Sequence, residues 1–260
     1  MYKDTRPVQA EELTASTPAM WAETFARSAR MNPWRTFRLR RSKEWALIRR
    51  YVGRGGAVLD AGCGFGEWVW FLDANGYRGE GVDFSTELIS RLRDAYPQLT
   101  WKVGDINRLP YDGGLFDAVI SWGVIEHDEA GPAQSLSEFR RVLRPDGVII
   151  VTVPRDSQVQ RRAAWYLYHR GKTPQAFFQY LMTADELSSH VVAAGFDVLE
   201  QGVLPTAVLQ LVSPRLSARL KGLPFRLVNF AVSASLSWIP RYCVMRYCVA
   251  RKRPTSADAV

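Results

Sequence analysis

"VLDAGCGFGEW", Val58 to Trp68, ends an apolar run on an aspartate and then sets three glycines at alternate positions, Gly62, Gly64 and Gly66. A short run of Val, Leu and Ala closed by Asp and Gly reads as a buried strand. A glycine turn behind such a strand lets a ligand come close to the main chain, and the next helix offers it open N–H groups. In an open parallel sheet that ligand sits beyond the carboxyl ends of the strands, where the strand order reverses. The spacing here is G-x-G-x-G, not the G-x-G-x-x-G of dinucleotide binders. Asp60 stands directly in front of the glycines. It would repel a pyrophosphate, whereas a ligand carrying an ammonium and a sulfonium would be drawn to it, directly or through water.

Farther along, Asp83 ends the next apolar stretch in "GVDFS", and its two oxygens can accept from both hydroxyls of a ribose. Phe84 offers a face for an adenine. In "VGDIN", Asp105 can accept from an adenine amino group while Ile106 covers the ring. Each residue also has a plainer reading. Asp60 can brace the loop, Phe84 and Ile106 can be core, and Asp83 can be a turn residue at a strand end.

The surrounding pattern supports an α/β fold. "AVLDAG", "GEGVDF", "TWKVGD", "FDAVISW" and "GVIIVTV" read as buried strands, and segments of helical period lie between them. In "SLSEFRRVL", Leu136, Phe139, Val142 and Leu143 share one face. Ser85 can cap the helix beginning "STELIS", and "TADE" forms a capping box from Thr183 to Glu186. "RPDG", Arg144 to Gly147, is a turn feeding the fifth strand. "FDVLEQ" gives a sixth strand, and "RYCVMRYCVARKR" contains a seventh after a helical excursion.

Taken in order, "VLDAGCGFG", "GVDFS", "GDINRLPYDGGLFDAVISWGVIEH" and "FRRVLRPDGVIIVTVP" resemble the successive motifs of class I S-adenosylmethionine-dependent methyltransferases, in the broad group that includes quinone-biosynthesis enzymes. The resemblance implies a Rossmann-like, doubly wound sheet of seven strands, mostly parallel with an antiparallel last strand and helices on both faces. It implies S-adenosylmethionine as cofactor. Gly62 and Gly64 are assigned to the methionine moiety, with Cys63 counted among the loop's contacts. Asp83 goes to the ribose, Asp105 and Ile106 to the adenine, and the Ser121 carbonyl to the amino group. No metal is implied; Trp122 and Gly123 precede Glu126, which departs from the pattern of metal-binding relatives.

The donor carries its own leaving group, so a base is required only when the acceptor must lose a proton. His127, in "VIEHDE", is the candidate base; the alternative is a histidine that tethers the loop to Glu126 or Asp128. The chain divides as a single domain, 1–260. It comprises a basic helical cap (1–50), a cofactor-binding core (51–153), an aromatic lid (154–182) and a C-terminal part (183–260) with an apolar insertion near 213–239. Trp21, Phe25 and Trp34 of the cap, with Trp165, Tyr166, Tyr168, Phe177, Phe178 and Tyr180 of the lid, can enclose the acceptor.

The totals narrow the partners. A net charge of +8 over 260 residues favours acidic company: nucleic acid, an anionic membrane surface or a phosphorylated substrate. Three cysteines and three scattered histidines suit neither a disulfide framework nor a zinc site. The start, "MYKDTRPVQAEELT", does not read as a secretory signal, and the chain is read as cytoplasmic. "LVNFAVSASLSWI", Leu227 to Ile239, falls short of the roughly 20 residues of a spanning helix. Flanked by Arg226 and Arg241, it suits a helix lying at the inner face of a membrane, or else a core or dimer helix. The leading reading is methylation, on oxygen, of a small-molecule or lipid-linked acceptor. Arginine clusters such as "RLRRSK" and "QRR" raise RNA methylation as an alternative, although no RNA-binding module is recognisable. A non-catalytic, cofactor-binding regulatory partner is the other alternative. The oligomeric state is left open.

Overall fold

Neighbouring residues along the central strands belong to different cores, which is how a two-sided sheet is read from its side chains. The computed structural model describes residues 1–7, 33–162, 175–204 and 243–254, with the single positions 228, 231 and 239. In chain order the elements are β1 (Tyr2–Pro7), α1 (Pro33–Arg40), α2 (Lys43–Tyr51), β2 (Ala57–Ala61), α3 (Glu67–Asp73), β3 (Arg78–Asp83), α4 (Thr86–Ala95) and β4 (Thr100–Val103). They continue with β5 (Phe116–Trp122), a 3-10 turn (Ile125–His127), α5 (Ala133–Val142), β6 (Leu143–Pro154), β7 (Gln175–Leu181), α6 (Ala184–Ala193), β8 (Phe196–Val203) and β9 (Met245–Lys252).

Seven strands form the main sheet in the order β4-β3-β2-β5-β6-β9-β8. All neighbours are parallel except those of β9, which runs antiparallel to both β6 and β8. Leu59, Val119 and Ile149 face a core closed by α5 and α6, through Leu136, Phe139, Leu187 and Val191. Their neighbours Val58, Ile120 and Ile150 face the opposite core, with Trp45 and Ile48 of α2 and Phe71 and Leu72 of α3. The sheet is therefore doubly wound, as the strand and helix alternation implies. The order reverses at β2, flanked by β3 and β5, and the crevice at its carboxyl end is the topological switch point.

Local signals account for the boundaries. Ser85 caps α4 by accepting from Leu88 N–H, and Thr183 with Glu186 completes the capping box of α6. The "RPDG" turn lies inside β6 as a bulged excursion. Pairing jumps from Phe116–Leu143 to Ala118–Val148, and Asp146 takes φ 61°.

The N-terminal segment departs from its helical expectation at the beginning. Tyr2–Pro7 is a strand that pairs antiparallel with β7, from Tyr2–Leu181 to Pro7–Gln175. This ribbon incorporates Phe177, Phe178 and Tyr180, so the later end of the aromatic lid is sheet, while 158–162 at its start is helical. Helix is found in the same N-terminal region at α1 and α2. Trp21, Phe25, Trp165, Tyr166, Tyr168, the side chain of Trp34 and all of Leu227 to Ile239 except positions 228, 231 and 239 lie outside the described residues. Among those that are described, no helix is long and apolar enough to cross a membrane.

One polar knot fastens α2 to the sheet edge. Glu200 of β8 accepts from the hydroxyls of Tyr247 (2.7 Å) and Tyr51 (2.8 Å), and pairs with Arg50 (3.2 Å) and Lys43 (3.3 Å). The Tyr247 hydroxyl first, then Tyr51 and Lys43, hold its carboxyl down at about 2, against the opposing effect of partial burial. A carboxyl with a depressed folded-state pKa stabilises above its unfolded value and loses that contribution as pH falls through the folded one. Glu200→Gln is expected to lower stability at pH 7 by about 1–3 kcal/mol. Denaturant unfolding of both proteins should show the difference vanish as pH drops from about 4 towards 2.

Candidate cofactor and acceptor site

The glycine loop is drawn tight against the end of β3. The N–H groups of Gly62 and Cys63 both donate to Val82 O, at 2.9 and 3.0 Å. Asp83 then holds the loop from its side chain: Gly64 N–H donates to Oδ2 (3.1 Å) and Ser85 N–H to Oδ1 (3.0 Å). Glycine is obligatory at two of these positions for separate reasons. At Gly62, φ is 82° and an added Cβ would lie 2.6 Å from Val124. At Gly66, φ is 66° and a Cβ would lie 2.4 Å from the Trp101 ring.

Above the loop is a cavity of about 320 Å³. Gly62, Gly64, Asp83, Phe84, Asp105, Ile106 and His127 all line it, so residues spread over 66 positions of sequence meet at the switch point. Phe84 is 45% exposed, unusual for a phenylalanine and suited to stacking with a planar ligand. Asp105 uses Oδ1 to accept from Asn107 N–H (2.9 Å), which shapes its own loop. Each Asp83 oxygen already accepts one main-chain N–H, but an ionised carboxylate has about four lone-pair sites, so acceptor capacity remains for a diol.

Three of the expected residues lie behind the cavity wall. Cys63 is buried, packed among Val69, Leu88, Ile89, Leu92 and Trp101, and burial pushes its thiol well up, helped by the charges of Asp60 and Asp83. Its main chain belongs to the loop and its side chain to the core. Ser121 is fully buried, and its hydroxyl donates to Ala61 O (3.0 Å), tying β5 to β2. Asp60 is 1% exposed, and its Oδ1 has no hydrogen-bond partner. Burial above all, then the charges of Asp83 and Glu67, push its carboxyl well above the usual range. A buried carboxylate oxygen without a donor, beside a second buried aspartate, fits a cationic ligand and opposes an anionic one.

His127 is anchored from a side the sequence does not show. Its Nδ1 lies 2.8 Å from Phe178 O on β7, and its ring meets Phe178 edge-on at 5.1 Å. Because the carbonyl can only accept, Nδ1 carries the hydrogen of the neutral ring, and Nε2 is its basic nitrogen. The tether expected to Glu126 or Asp128 is not what holds the ring. Nε2 stands 4.0 Å from Glu126 Oε1, beyond hydrogen-bond range. Asp128 instead accepts from Asn107 (2.8 Å) and from Ala130 N–H. Glu126 is buried, and that burial pushes its carboxyl up to about 8, so it is mostly neutral at pH 7. Sequence reasoning assigned no ligand contact to Asn107, Trp122, Gly123, Val124 or Asp128, which also line the cavity. Asn107 and Trp122 sat inside the quoted motifs, but nothing local marked which way they turn.

A family profile described as "Methyltransferase domain" matches residues 58–147. A Mycolicibacterium smegmatis protein described as "Probable S-adenosylmethionine-dependent methyltransferase" is 30% identical over 188 residues, covering 72% of this chain and 68% of that protein. The malonyl-(acyl-carrier protein) O-methyltransferase of Salmonella typhimurium is 32% identical over 123 residues, 46% of this chain and 48% of its own length. Among solved structures, a Pyrococcus horikoshii protein has a TM-score of 0.60 at 17% identity, covering 95% of this chain and all of that one, a likeness of fold. The fold is Rossmann-like and doubly wound. This chain belongs to the S-adenosylmethionine-dependent methyltransferases, and its cofactor is S-adenosylmethionine.

Asp83→Ala is expected to weaken binding of S-adenosylhomocysteine by about 100-fold in calorimetry, since it would remove the acceptor expected for the ribose diol and the loop's hold on β3. A cooperative thermal transition should persist, because the strands and both cores are untouched. Unchanged affinity would contradict the ribose assignment.

Proposed function

We propose that the chain methylates an oxygen of a small-molecule acceptor, with His127 taking the acceptor's proton. The observation that carries the reading is the histidine's setting. His127 lines the cavity that Asp83 and Gly62 also line, and the Phe178 carbonyl fixes the tautomer in which Nε2 is basic. The O-methyltransferase named among the relatives supports the choice of oxygen.

When bound, S-adenosylmethionine supplies an electrophilic methyl group with its own leaving group, so the protein's work is alignment, exclusion of water and proton removal. In this reading Gly62 and Gly64 seat the methionine moiety, and Cys63 adds main chain only. The Ser121 carbonyl takes the amino group, and Asp60 balances positive charge from behind the loop. Asp83 holds the ribose, and Phe84, Asp105 and Ile106 hold the adenine.

Part of the basic charge lies away from the cavity. Arg40, Arg49, Arg54 and Asn75 line a groove at the amino ends of β2 and β3. The glycine loop is at the other end of β2, a strand of five residues or about 16 Å. Charge there does not lead an acceptor into the site, which weighs against RNA methylation.

The test uses transfer of isotope-labelled methyl to extract of the producing cell, with the labelled product identified. With that product's precursor in hand, His127→Ala should lower kcat by roughly 10²–10⁴-fold while S-adenosylhomocysteine affinity stays within about twofold. A kcat within about threefold of wild type would remove the histidine from the role of base.

A further inference from the structure

Two shallow grooves meet at the amino ends of β2 and β3, at the other end of the sheet from the catalytic cavity. One, of about 330 Å³, is lined by Arg40, Trp45, Arg49, Arg54, Asn75 and Tyr77. The second shares Arg49, Arg54 and Tyr77 with it and adds Arg50. No acidic residue lines either groove, and none of these residues borders the catalytic cavity.

The arginines arrive from separate elements. Arg40 ends α1, Arg49 is in the last turn of α2, and Arg54 stands in the glycine turn "GRGG", residues 53–56, that leads into β2. Trp45 holds α2 in place by packing edge-on against Phe71 and Tyr77, at 5.0 and 5.8 Å. Arg49 in turn lies over the Trp45 ring at 5.7 Å, which orders its guanidinium before any ligand arrives.

Two observations select an anion. The first is uncompensated charge. Arg40, Arg49 and Arg54 are exposed, and Arg40 and Arg54 pair with no carboxylate among the described residues. Arg50 differs, because Glu200 pairs with it at 3.2 Å. Like charges gathered in one groove repel one another, and an anion relieves that repulsion. The second is in the glycine turn. Gly55 N–H donates to Gly76 O (3.1 Å) and Gly56 N–H to Gly53 O (3.0 Å), whereas the N–H groups of Gly53 and Arg54 make no hydrogen bond among the described residues. Main-chain donors left over beside guanidinium groups suit the oxygens of a phosphate. Helix ends explain Arg40 and Arg49 one at a time, as cations near final carbonyls, but Arg54 belongs to no helix.

We propose that this groove binds a phosphate group, carried by a soluble phosphoester or by a lipid headgroup, with Arg40, Arg49 and Arg54 as its cationic ligands. The glycine loop lies at the far end of β2, about 16 Å away, so the phosphate compound is not the methyl acceptor. The groove is a second binding site, independent of which atom the enzyme methylates.

The test is calorimetry at about 0.15 M salt, with S-adenosylhomocysteine saturating the cofactor site and inorganic pyrophosphate as the probe. The expected result is saturable binding that weakens about tenfold or more when Arg49→Gln and Arg54→Gln are combined, with S-adenosylhomocysteine affinity within about twofold. Arg91→Gln combined with Arg251→Gln removes the same charge from exposed positions elsewhere and should alter pyrophosphate affinity by less than about twofold. Sedimentation with vesicles of phosphatidylglycerol in phosphatidylcholine then separates the two sources. Co-sedimentation that pyrophosphate competes away assigns the groove to a lipid headgroup, and pyrophosphate binding without co-sedimentation assigns it to a soluble phosphoester. The proposal is overturned if wild type shows no saturable pyrophosphate binding, if both double variants weaken it alike, or if S-adenosylhomocysteine abolishes it. The wild-type titration decides by itself should a variant fold poorly.

Discussion

The Asp60 carboxylate, sealed behind the glycine loop with Oδ1 unpartnered, is the constraint around which the site is arranged. Removing an ionised carboxylate from water without a partner costs several kcal/mol, and such a group raises its pKa to escape the cost. Burial does this to Asp60, and the nearby charges of Asp83 and Glu67 push in the same direction. Glu67 is already paired with Arg38 and Asp83 accepts from two main-chain N–H groups, so Asp60 is the carboxyl left uncompensated, and a cationic ligand is what we propose completes it. That property separates this loop from the dinucleotide loops it resembles in outline, where helix N–H groups meet a pyrophosphate.

Everything nearby keeps that region in register. Asp83 fastens the loop to β3 through Gly64 and Ser85. Val124 and Trp101 occupy the space that side chains at positions 62 and 66 would need. Ser121 joins β5 to β2 from within the core. Beside His127, the β1–β7 ribbon reaches over to the 3-10 turn. Phe178 O meets His127, Tyr180 donates to Glu129 O (2.9 Å), and Lys3 pairs with Glu129. The ribbon thereby couples the most N-terminal strand to the residue proposed as base.

The central strands and the loop were legible because their signals are local. Val and Ile runs closed by Asp and Gly, and caps such as Ser85 and Thr183, state their structure within a few residues. The β1–β7 ribbon was not legible. Tyr2 and Leu181 are partners across most of the chain, and neither segment shows a clean two-residue alternation. Glu200 gave no sign of its four partners for the same reason, since Lys43 and Tyr51 lie on a helix about 150 positions earlier. Within the site, residue types were readable and orientations were not. Cys63 belongs to the loop by sequence and to the core by side chain. Trp122 read as a strand end and as a departure from metal-binding relatives, while its neighbour Ser121 turns inward and it lines the cavity.

The claim that Asp60, its carboxyl raised by burial, is completed by the cofactor's positive charge has a direct test in the pH dependence of binding. Calorimetry of S-adenosylmethionine binding over a series of pH values, in buffers of different ionisation enthalpy, gives the affinity and counts protons lost on binding. The account predicts that a measurable fraction of a proton leaves wild type, that affinity rises with pH, and that Asp60→Asn binds more weakly with that release gone. Binding of equal strength to both proteins, with no proton released from either, would contradict it.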